Sequence, residues 1–436
     1  MISAQRSNGE VINATGMLIF PGLIDCHVHF REPGLEHKAT MESESAAAVA
    51  GGVTTVCEMP NTIPPTVTVA ALADKVRRAA RIKNCDLRFF FGITEARHLL
   101  ALRDIWTGNA AELQRLKRHC CGVKLYLDHS TGNQKIEGGI LDEVFHVCAQ
   151  MDVLVVCHCE DAQINAECRK SFDAAPVSAQ RATPDRQDRL QAESREVSEH
   201  SNMRPPESET TAVAFAIGLA QRHGTRLHVA HLSTKDGLNL VRGAKRDGIA
   251  VTCEVAPHHL FLTVEDYMSL GTFAKMNPPL RTVEHRDALW EGLFDGTVDC
   301  IATDHAPHTL EEKIVEAHHG ASLQAPSGVP GVETMLPLLL SVVAGHWPHP
   351  KGKFQMPNSK FQYKDIVRLC FEGPNHIFQL GKDPIDTGKS PDIILIDPQR
   401  RWMICGKELH AKCGWTPYEG WQVRGKVHRV IPPGIL

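Results

Sequence analysis

The chain has 436 residues, of which 42% are hydrophobic and 22% are charged. This length allows one large α/β barrel with a satellite module or two ordinary domains, and the composition is that of a soluble globular protein. The net charge of −4 gives no basic surface for nucleic acid or an anionic membrane, so we expect a small-molecule substrate.

The beginning of the chain, MISAQRSNGEVINATG, has no charged leader followed by an apolar region. No run of about 18 apolar residues, as a membrane span requires, occurs in the sequence. We therefore expect a cytoplasmic protein that is neither secreted nor inserted in a membrane. In that compartment the 14 cysteines are expected to be reduced thiols rather than a disulfide framework.

The first conspicuous segment is PGLIDCHVHFREPG, which runs from Pro21 to Gly34. An apolar run ends there in His27 and His29, and an extended backbone places both imidazoles on the same side. Such a pair can hold a metal ion. Arg31 follows two residues later and supplies a fixed positive charge beside it.

Short apolar or β-branched segments recur along the chain, most of them separated by a helical pattern. There are eight: LIFPGLIDCHVH, VTTVCEM, LRFFFGIT, GVKLYL, VLVVCHCE, RLHVAHL, AVTCEVAP and VDCIATDHA. This alternation is typical of parallel strands buried on both faces, and it predicts an α/β fold of the (β/α)₈ TIM-barrel type. Helices are predicted over 40–50, 69–82 and 209–222.

Two regions depart from the alternation of strands and helices. Residues 165–206 are polar and charged, which indicates either a functional insertion or a mobile loop. The late segments DTGKSPDIILID and GWQVRGKVHRVI predict strands with no helix between them. We therefore predict a metal-dependent barrel domain over 21–384 and a small flanking β module formed by 1–20 and 385–436.

Polar clusters follow most of the predicted strands, and in such barrels the carboxyl ends of the strands meet at one mouth. The candidate metal ligands are His27, His29, Lys124, His158, His231 and Asp304. Imidazole and carboxylate ligands suit zinc, and the set exceeds what one tetrahedral ion requires, which favours two metals. Asp304 could also exchange a proton with a metal-bound water. The alternative is that Asp304 serves only as a structural ligand.

Lys124 lies in the middle of the predicted strand GVKLYL, where a bare ammonium group is costly. From the residues alone, pairing with a buried carboxylate is the favoured interpretation. Carboxylation by CO₂ is the alternative, because it would create an anionic bridge between two metals.

Several neighbours of these ligands are also potential ligands. Strand alternation places three cysteines opposite the adjacent histidine, so we interpret them as packing residues: Cys26, Cys157 and Cys159. The same alternation along the strand favours His231 over His228 as the metal ligand. An additional metal or a supporting structural role remains open for Glu254, His258 and His259.

Three polar side chains are predicted to lie at the same mouth: Arg31, Asn61 and His308. A guanidinium, an amide and an imidazole together suit a carboxylate. Each residue alone is more typical of a surface or a turn, but the combination predicts an anionic substrate.

These motifs resemble those of the dihydroorotases, a cyclic amidase group of the amidohydrolase superfamily. The resemblance runs from about Pro21 to Val430 and rests on REPG, MPNT, GVKLYL, HCED, RPPE, HVAHLS, CEVAPHHLFL, NPPLR, DHAPH and WTPYEG. Any single motif is shared with other cyclic amidases, whereas REPG, MPNT and DHAPH together are specific. The strands that many members carry before PGLID are largely missing, which predicts an incomplete β module.

The resemblance implies two zinc ions per chain, bridged by carboxylated Lys124 and by a hydroxide. One ion would be bound by His27, His29 and Asp304, and the other by His158 and His231. Zinc would polarise the ring amide, and Asp304 would carry the proton to the leaving nitrogen. The implied reaction is the reversible cyclisation of N-carbamoyl-L-aspartate to L-dihydroorotate in pyrimidine biosynthesis.

The resemblance also implies substrate contacts: Arg31, Asn61 and His308 with the carboxylate, and Asn277 near the ring. Ser130 and Thr131, in the loop after the lysine strand, are predicted to form a lid. A homodimer and a pyrimidine-pathway assembly are both compatible with the sequence. The alternatives are another cyclic amidase, allantoinase or dihydropyrimidinase, whose substrates lack the carboxylate, and an inactive scaffold relative, which the full ligand set disfavours.

Overall fold

The computed structural model describes residues 3–5, 11–129, 134–173, 197–314, 321–351, 354 and 361–433. The strands in these residues are numbered in chain order: β1 (Ser3–Gln5), β2 (Val11–Asn13), β3 (Leu18–Pro21), β4 (Leu23–Val28), β5 (Val53–Glu58), β6 (Asp86–Gly92), β7 (Cys120–Tyr126), β8 (Val155–His158), β9 (Leu227–Val229), β10 (Val251–Val255), β11 (Cys300–Ile301), β12 (Ile393–Met403) and β13 (Gln422–Ile431).

Strands β4 to β11 form one parallel sheet in sequential order. The two ends of this sheet meet, because Val28 at the end of β4 pairs with His305 just after β11. The backbone N–H of His29 also donates to the His305 carbonyl oxygen at 2.7 Å. The sheet is therefore an almost closed barrel, and the predicted (β/α)₈ fold is confirmed.

Helices occupy most of the connections between the barrel strands. The longer ones are Met41–Ala50, Val69–Ala79, Arg97–Thr107, Ala111–Arg118, Leu141–Gln150, Ala162–Asp173, Pro206–His223, Lys235–Arg246, Val283–Asp295 and Met335–Val343. Shorter ones are 197–203, Pro257–Phe261, Tyr267–Leu270, Leu310–Lys313, Ala321–Gln324, Tyr363–Val367 and Gly373–Ile377. The three helices predicted from sequence are confirmed, and Thr40 caps the first through a capping box with Ser43.

A three-stranded antiparallel sheet, β3–β12–β13, lies beside the barrel, with β12 in the middle. The segment predicted as one strand, LIFPGLIDCHVH, is therefore two strands in different sheets. The chain passes between them at Gly22, where a Cβ atom would lie 2.7 Å from Asp392 Cβ, so a larger residue would clash. The division into 21–384 and 1–20 with 385–436 remains a proposal.

The N-terminal segment also contributes strands to the fold. β1 pairs with β2 in an antiparallel ladder, and β3 joins the β module. The N-terminal segment thus supplies one strand, β3, to the β module, and the prediction that the strands before PGLID are largely missing relative to other family members stays a prediction. The polar region 165–206 begins in the helix Ala162–Asp173 and ends near the helical residues 197–203, while residues 174–196 lie outside the described part of the chain.

Asp25 in β4 links the two ends of the barrel sheet next to the strand-end clusters. Its fully buried carboxylate accepts hydrogen bonds from the backbone N–H of His27 and from the backbone N–H and hydroxyl of Thr303. These bonds connect β4 to the segment that follows β11. The local geometry of the mouth therefore depends on an acidic residue that never reaches the cavity surface.

We expect Asp25→Ala to lower the free energy of unfolding by about 3 kcal/mol, because it leaves three buried donors without their acceptor. Urea denaturation at matched metal content measures this loss. The exposed Asp104, replaced by alanine, is the control and should change the midpoint little. An Asp25→Ala protein as stable as this control would contradict the proposed link.

Candidate metal centre

His27, His29 and Asp304 converge at the barrel mouth from the ends of β4 and β11. Asp304 Oδ1 lies 3.3 Å from His27 Nε2 and 3.1 Å from His29 Nε2. All three side chains are buried, and one ligand atom from each lies within a single small volume. Two imidazole nitrogens and one carboxylate oxygen form a donor set that suits zinc. The group can therefore hold a metal ion.

His158 and His231 form a second pair beside this group. His158 Nδ1 lies 3.0 Å from His231 Nε2, so two ring nitrogens face each other in a buried site. The His231 ring centroid is 5.1 Å from that of His27, which places the four histidines in one cluster. The strand ends therefore meet as the barrel fold predicts, while the role of each residue as a ligand remains a prediction.

Lys124 in β7 is buried, and its Nζ atom has no hydrogen-bond partner among the described residues. Nζ lies 5.0 Å from the centre of the Tyr126 ring. The interpretation of Lys124 as the partner of a buried carboxylate is therefore wrong. Burial lowers the pKa of the Lys124 amine, which favours the neutral form that reacts with CO₂.

Unsatisfied atoms provide a test of whether a metal centre fits these residues. The buried Nδ1 atom of His231, like Lys124 Nζ, has no hydrogen-bond partner in the described part of the chain. Buried polar atoms are normally satisfied, so such orphans require an explanation. Burial also lowers the pKa of His29 to about 4, so this imidazole is neutral at pH 7, as a metal ligand must be. The residues fit a metal centre.

Three residues of the mouth have left-handed backbone conformations: Arg31 with φ 68°, His231 with φ 32° and Asp304 with φ 47°. Such values are uncommon for residues other than glycine and cluster at functional sites. Here each one follows a barrel strand. The alternation rule for an extended strand therefore stops applying at the positions that carry the predicted chemistry.

Glu254, whose role the sequence left open, orients one of the histidines. Its Oε1 atom lies 2.5 Å from His27 Nδ1 and accepts a hydrogen bond from the backbone N–H of His231 at 3.0 Å. A proton held on Nδ1 leaves His27 Nε2 free to bind a metal. Burial acts to raise the pKa of Glu254, but its electrostatic interactions and hydrogen bonds with His27 and His228 keep it well below its ordinary value.

Asn61 and Glu160 make the corresponding contacts with two other histidines. Asn61 Oδ1 lies 2.7 Å from His29 Nδ1, and Glu160 Oε2 lies 2.7 Å from His158 Nε2. Arg204 in turn donates to Glu160 at 3.0 Å. The predicted substrate residue Asn61 therefore also holds His29 in place. Sequence reasoning did not single out Glu160 or Arg204 as residues that hold His158. Glu160 belongs to the HCED motif and Arg204 to the RPPE motif, so these two motifs could have indicated them.

Arg31 is only 2% exposed and lines the same cavity as the histidines. Its Nε donates to the Pro307 carbonyl oxygen at 3.0 Å, and its Nη2 lies 3.1 Å from His308 Nε2. Burial lowers the pKa of Arg31 to about 10, so the guanidinium is still a cation at neutral pH. The structure therefore fixes a positive charge beside the candidate metal centre.

His308 lies behind Arg31 rather than among the residues that line the cavity. Its Nδ1 atom is 3.0 Å from Lys38 Nζ, and its Nε2 atom is 3.1 Å from the Ser327 carbonyl oxygen as well as from Arg31. These contacts hold the guanidinium in position. Direct binding of substrate by His308 remains a prediction.

The cavity at the mouth is small and opens towards a larger outer cavity of about 550 Å³. Asn277 and Ser327 line both, so they lie at the boundary, where Asn277 Oδ1 is 2.8 Å from His200 Nε2. The outer cavity carries several cationic side chains: Lys135, Arg169, Arg204 and Lys275. The predicted lid residues Ser130 and Thr131 lie outside the described residues.

The cysteines near the ligands differ in their surroundings. Cys157 and Cys159 pack in the apolar layer between the barrel and its helices, as predicted. Cys26 faces the barrel interior together with His27, because the pairing of β4 with β5 shifts register between Asp25 and Val28. The alternation argument for Cys26 is therefore wrong, and its Sγ lies 3.4 Å from Glu254 Oε2.

His258 and His259 lie in the short helix that follows β10. His259 Nε2 lies 3.0 Å from the Pro278 carbonyl oxygen, which indicates a structural role. The His258 ring packs against that of His259, and its Nε2 has no hydrogen-bond partner among the described residues. Neither histidine belongs to a group of three or more metal-ligating side chains in the described part of the chain.

Comparison with known proteins gives consistent results at the level of sequence. The model of the amidohydrolase family matches residues 18–434. A protein of Halobacterium salinarum named dihydroorotase is 38% identical over 430 residues, which cover 95% of this chain and 88% of that protein. A dihydroorotase of Methanosarcina mazei is 35% identical over 424 residues, covering 95% and 82%.

Solved structures resemble the fold over almost the whole chain. The L-hydantoinase (dihydropyrimidinase) of Arthrobacter aurescens has a TM-score of 0.81 and 25% identity, and the match covers 97% of this chain and 89% of that one. The D-hydantoinase of Thermus sp. has a TM-score of 0.79 and 24% identity, with coverage of 97% and 85%. None of the described helices is long and apolar enough to cross a membrane.

Proposed function

Because the chain belongs to the amidohydrolase family and is a cyclic amide hydrolase, we propose that it is a zinc-dependent dihydroorotase. The observation that carries the proposal is the buried Arg31 guanidinium beside the four-histidine cluster, since dihydroorotate carries a carboxylate on its ring. Relatives named dihydroorotase, at 32–38% identity over nearly the full chain, support the same substrate.

The zinc ligands in this proposal are the residues that surround the mouth: His27, His29, Lys124 in carboxylated form, His158, His231 and Asp304. Carboxylation would turn the unpartnered Lys124 amine into an anion with two oxygens, which suits a position between two cations. When bound, zinc would polarise the ring amide carbonyl and lower the pKa of a water molecule.

The protein's own residues bind the substrate and move the proton. Arg31 binds the substrate carboxylate, and Asn277, at the boundary of the inner cavity, contacts the ring. Water attacks the ring carbonyl carbon, and the bond from that carbon to the ring nitrogen breaks. Asp304 accepts the proton of the water on its carboxylate and passes it to the departing nitrogen. The reverse sequence closes N-carbamoyl-L-aspartate to L-dihydroorotate.

A hydantoinase or dihydropyrimidinase is the second candidate, favoured by the TM-score of 0.81 to the Arthrobacter aurescens enzyme. Those names describe rings without a carboxylate, and a buried arginine at the cavity wall would then have no charged partner in the substrate. A buried charge without a partner is unfavourable. The buried arginine therefore supports a dihydroorotase better than it supports a hydantoinase or dihydropyrimidinase.

We expect the purified protein to hydrolyse dihydroorotate at least 100-fold more efficiently, in kcat/KM, than dihydrouracil or hydantoin, a difference of about 2.7 kcal/mol. Prolonged chelation should remove this activity, and added Zn²⁺ should restore it. The reason is that the metal ion polarises the ring carbonyl, and none of its proposed ligands can do so in its place. Steady-state assays with metal quantitation test both statements. Equal efficiency on the uncharged rings, or activity that survives complete metal loss, would overturn the proposal.

A further inference from the structure

A second group of potential ligands lies inside the barrel, below the mouth. It consists of Cys26 in β4, His228 in β9, Glu254 in β10 and Cys300 in β11. The four side chains are at most 1% exposed, and one ligand atom from each lies within 4.8 Å of all the others. Four strands that follow one another around the closed barrel therefore each supply one potential ligand.

Three of the six separations between the four ligand atoms are close to the edges of a zinc tetrahedron. With Zn–S bonds near 2.3 Å and Zn–N or Zn–O bonds near 2.1 Å, the expected edges are about 3.8 Å for S–S, about 3.6 Å for S–O and about 3.4 Å for N–O. The Sγ atoms of Cys26 and Cys300 are 3.7 Å apart. Glu254 Oε2 lies 3.4 Å from Cys26 Sγ and 3.1 Å from His228 Nε2. A disulfide would require sulfurs near 2.05 Å, far closer than these.

The surroundings of His228 also suit a metal ligand. The Thr252 hydroxyl donates to the Leu227 carbonyl oxygen at 3.4 Å, so its oxygen can accept a proton from His228 Nδ1, which lies 2.8 Å away. His228 Nε2 faces Glu254 Oε2 at 3.1 Å; a proton on Nε2 makes this contact when no metal is bound, and a metal ion would take the place of that proton. A ligating histidine typically has its other nitrogen engaged in this way.

We propose that Cys26, His228, Glu254 and Cys300 bind a structural zinc ion that is separate from the centre that acts on the substrate. Two thiolates select a soft or borderline metal, and four protein ligands leave no open position for a substrate. Glu254 connects the two sites, because Oε2 faces the new site while Oε1 holds His27 and the backbone of His231. The buried metal thereby fixes the carboxylate that orients a residue of the mouth.

Thiolate ligation distinguishes this metal from those at the mouth, whose proposed ligands contain no sulfur. Full-length protein produced with Co²⁺ in place of zinc should show a near-ultraviolet sulfur-to-cobalt charge-transfer band. Cys26→Ser/Cys300→Ser should lose this band and about one metal ion per chain. The matched control is Cys57→Ser/Cys121→Ser, a second pair of buried thiols in the same barrel interior, which should keep both.

A wild-type cobalt protein without the band would overturn the proposal, as would a band that survives Cys26→Ser/Cys300→Ser or disappears in the control. If the double variant does not fold, X-ray absorption of the wild-type zinc protein decides the matter. Sulfur neighbours at about 2.3 Å from zinc would support the site, and their absence would exclude it. Neither readout depends on activity, so failure of this proposal leaves the proposed reaction untouched, and the converse also holds.

Discussion

Asp304→Asn is expected to lower kcat for dihydroorotate hydrolysis by about 10³-fold, within the range typical of a lost general acid or base. The amide keeps the shape of the side chain and one oxygen near His27 and His29, but it cannot accept and release the proton. Burial acts to raise the pKa of Asp304, whereas its electrostatic interaction with His27 and its hydrogen bond with His29 keep it well below its ordinary value. The carboxylate is thus ionised at neutral pH and able to receive a proton.

Metal content must be measured on the same sample, because Asp304 is also a predicted ligand. Wild-type metal content with the expected fall in kcat would identify proton transfer as the missing step, whereas loss of metal would identify a ligand role alone. Asp104→Asn, at an exposed helix position, provides a control that should keep full activity. An Asp304→Asn enzyme with kcat near that of the wild type would refute both roles.

Arg31→Ala is expected to reduce kcat/KM for dihydroorotate by about 10²-fold or more, since loss of one partner of a buried charge pair costs about 2–5 kcal/mol. Arg31→Lys should recover only part of this loss, because an ammonium cannot replace the planar fork that binds a carboxylate. The Pro307 carbonyl and His308, which hold the guanidinium, would also lose their partner. Steady-state kinetics on both variants test the expectation.

The matched measurement for Arg31→Ala uses the same protein with dihydrouracil, whose ring has no carboxylate. Its low turnover should be unchanged, so the preference for the charged ring should collapse while metal content stays at the wild-type value. Arg103→Ala, at an exposed position on the helix Arg97–Thr107, should leave both substrates unaffected. Retention of the preference in Arg31→Ala would show that the carboxylate is recognised elsewhere.

The fold could be predicted from sequence to a large extent because its signals are local. Apolar segments of strand length alternating with helical patterns indicated eight parallel strands, and all eight are present. The error at LIFPGLIDCHVH has a physical reason: β3 and β4 are both extended and apolar, and only pairing with different sheets separates them at Gly22. Local composition cannot reveal such a change of partner.

The candidate site was predictable in its residue types but not in its contacts. Parity along a strand placed Cys26 away from His27, but a register shift in β4 brings both into the barrel. Left-handed backbones at Arg31, His231 and Asp304 end the alternation where the chemistry begins. No local pattern could indicate that Lys124 lacks a carboxylate partner.

The sequence by itself determined the number of barrel strands, the pair of histidines one residue apart, and the presence of an arginine beside them, because these depend on spacing along the chain. Only the tertiary structure decided which groups meet. Barrel closure brings Glu254 to His27 across 227 residues and Cys300 to Cys26 across 274. Contacts at such separations depend on how the strands register and close, which short-range periodicity does not specify.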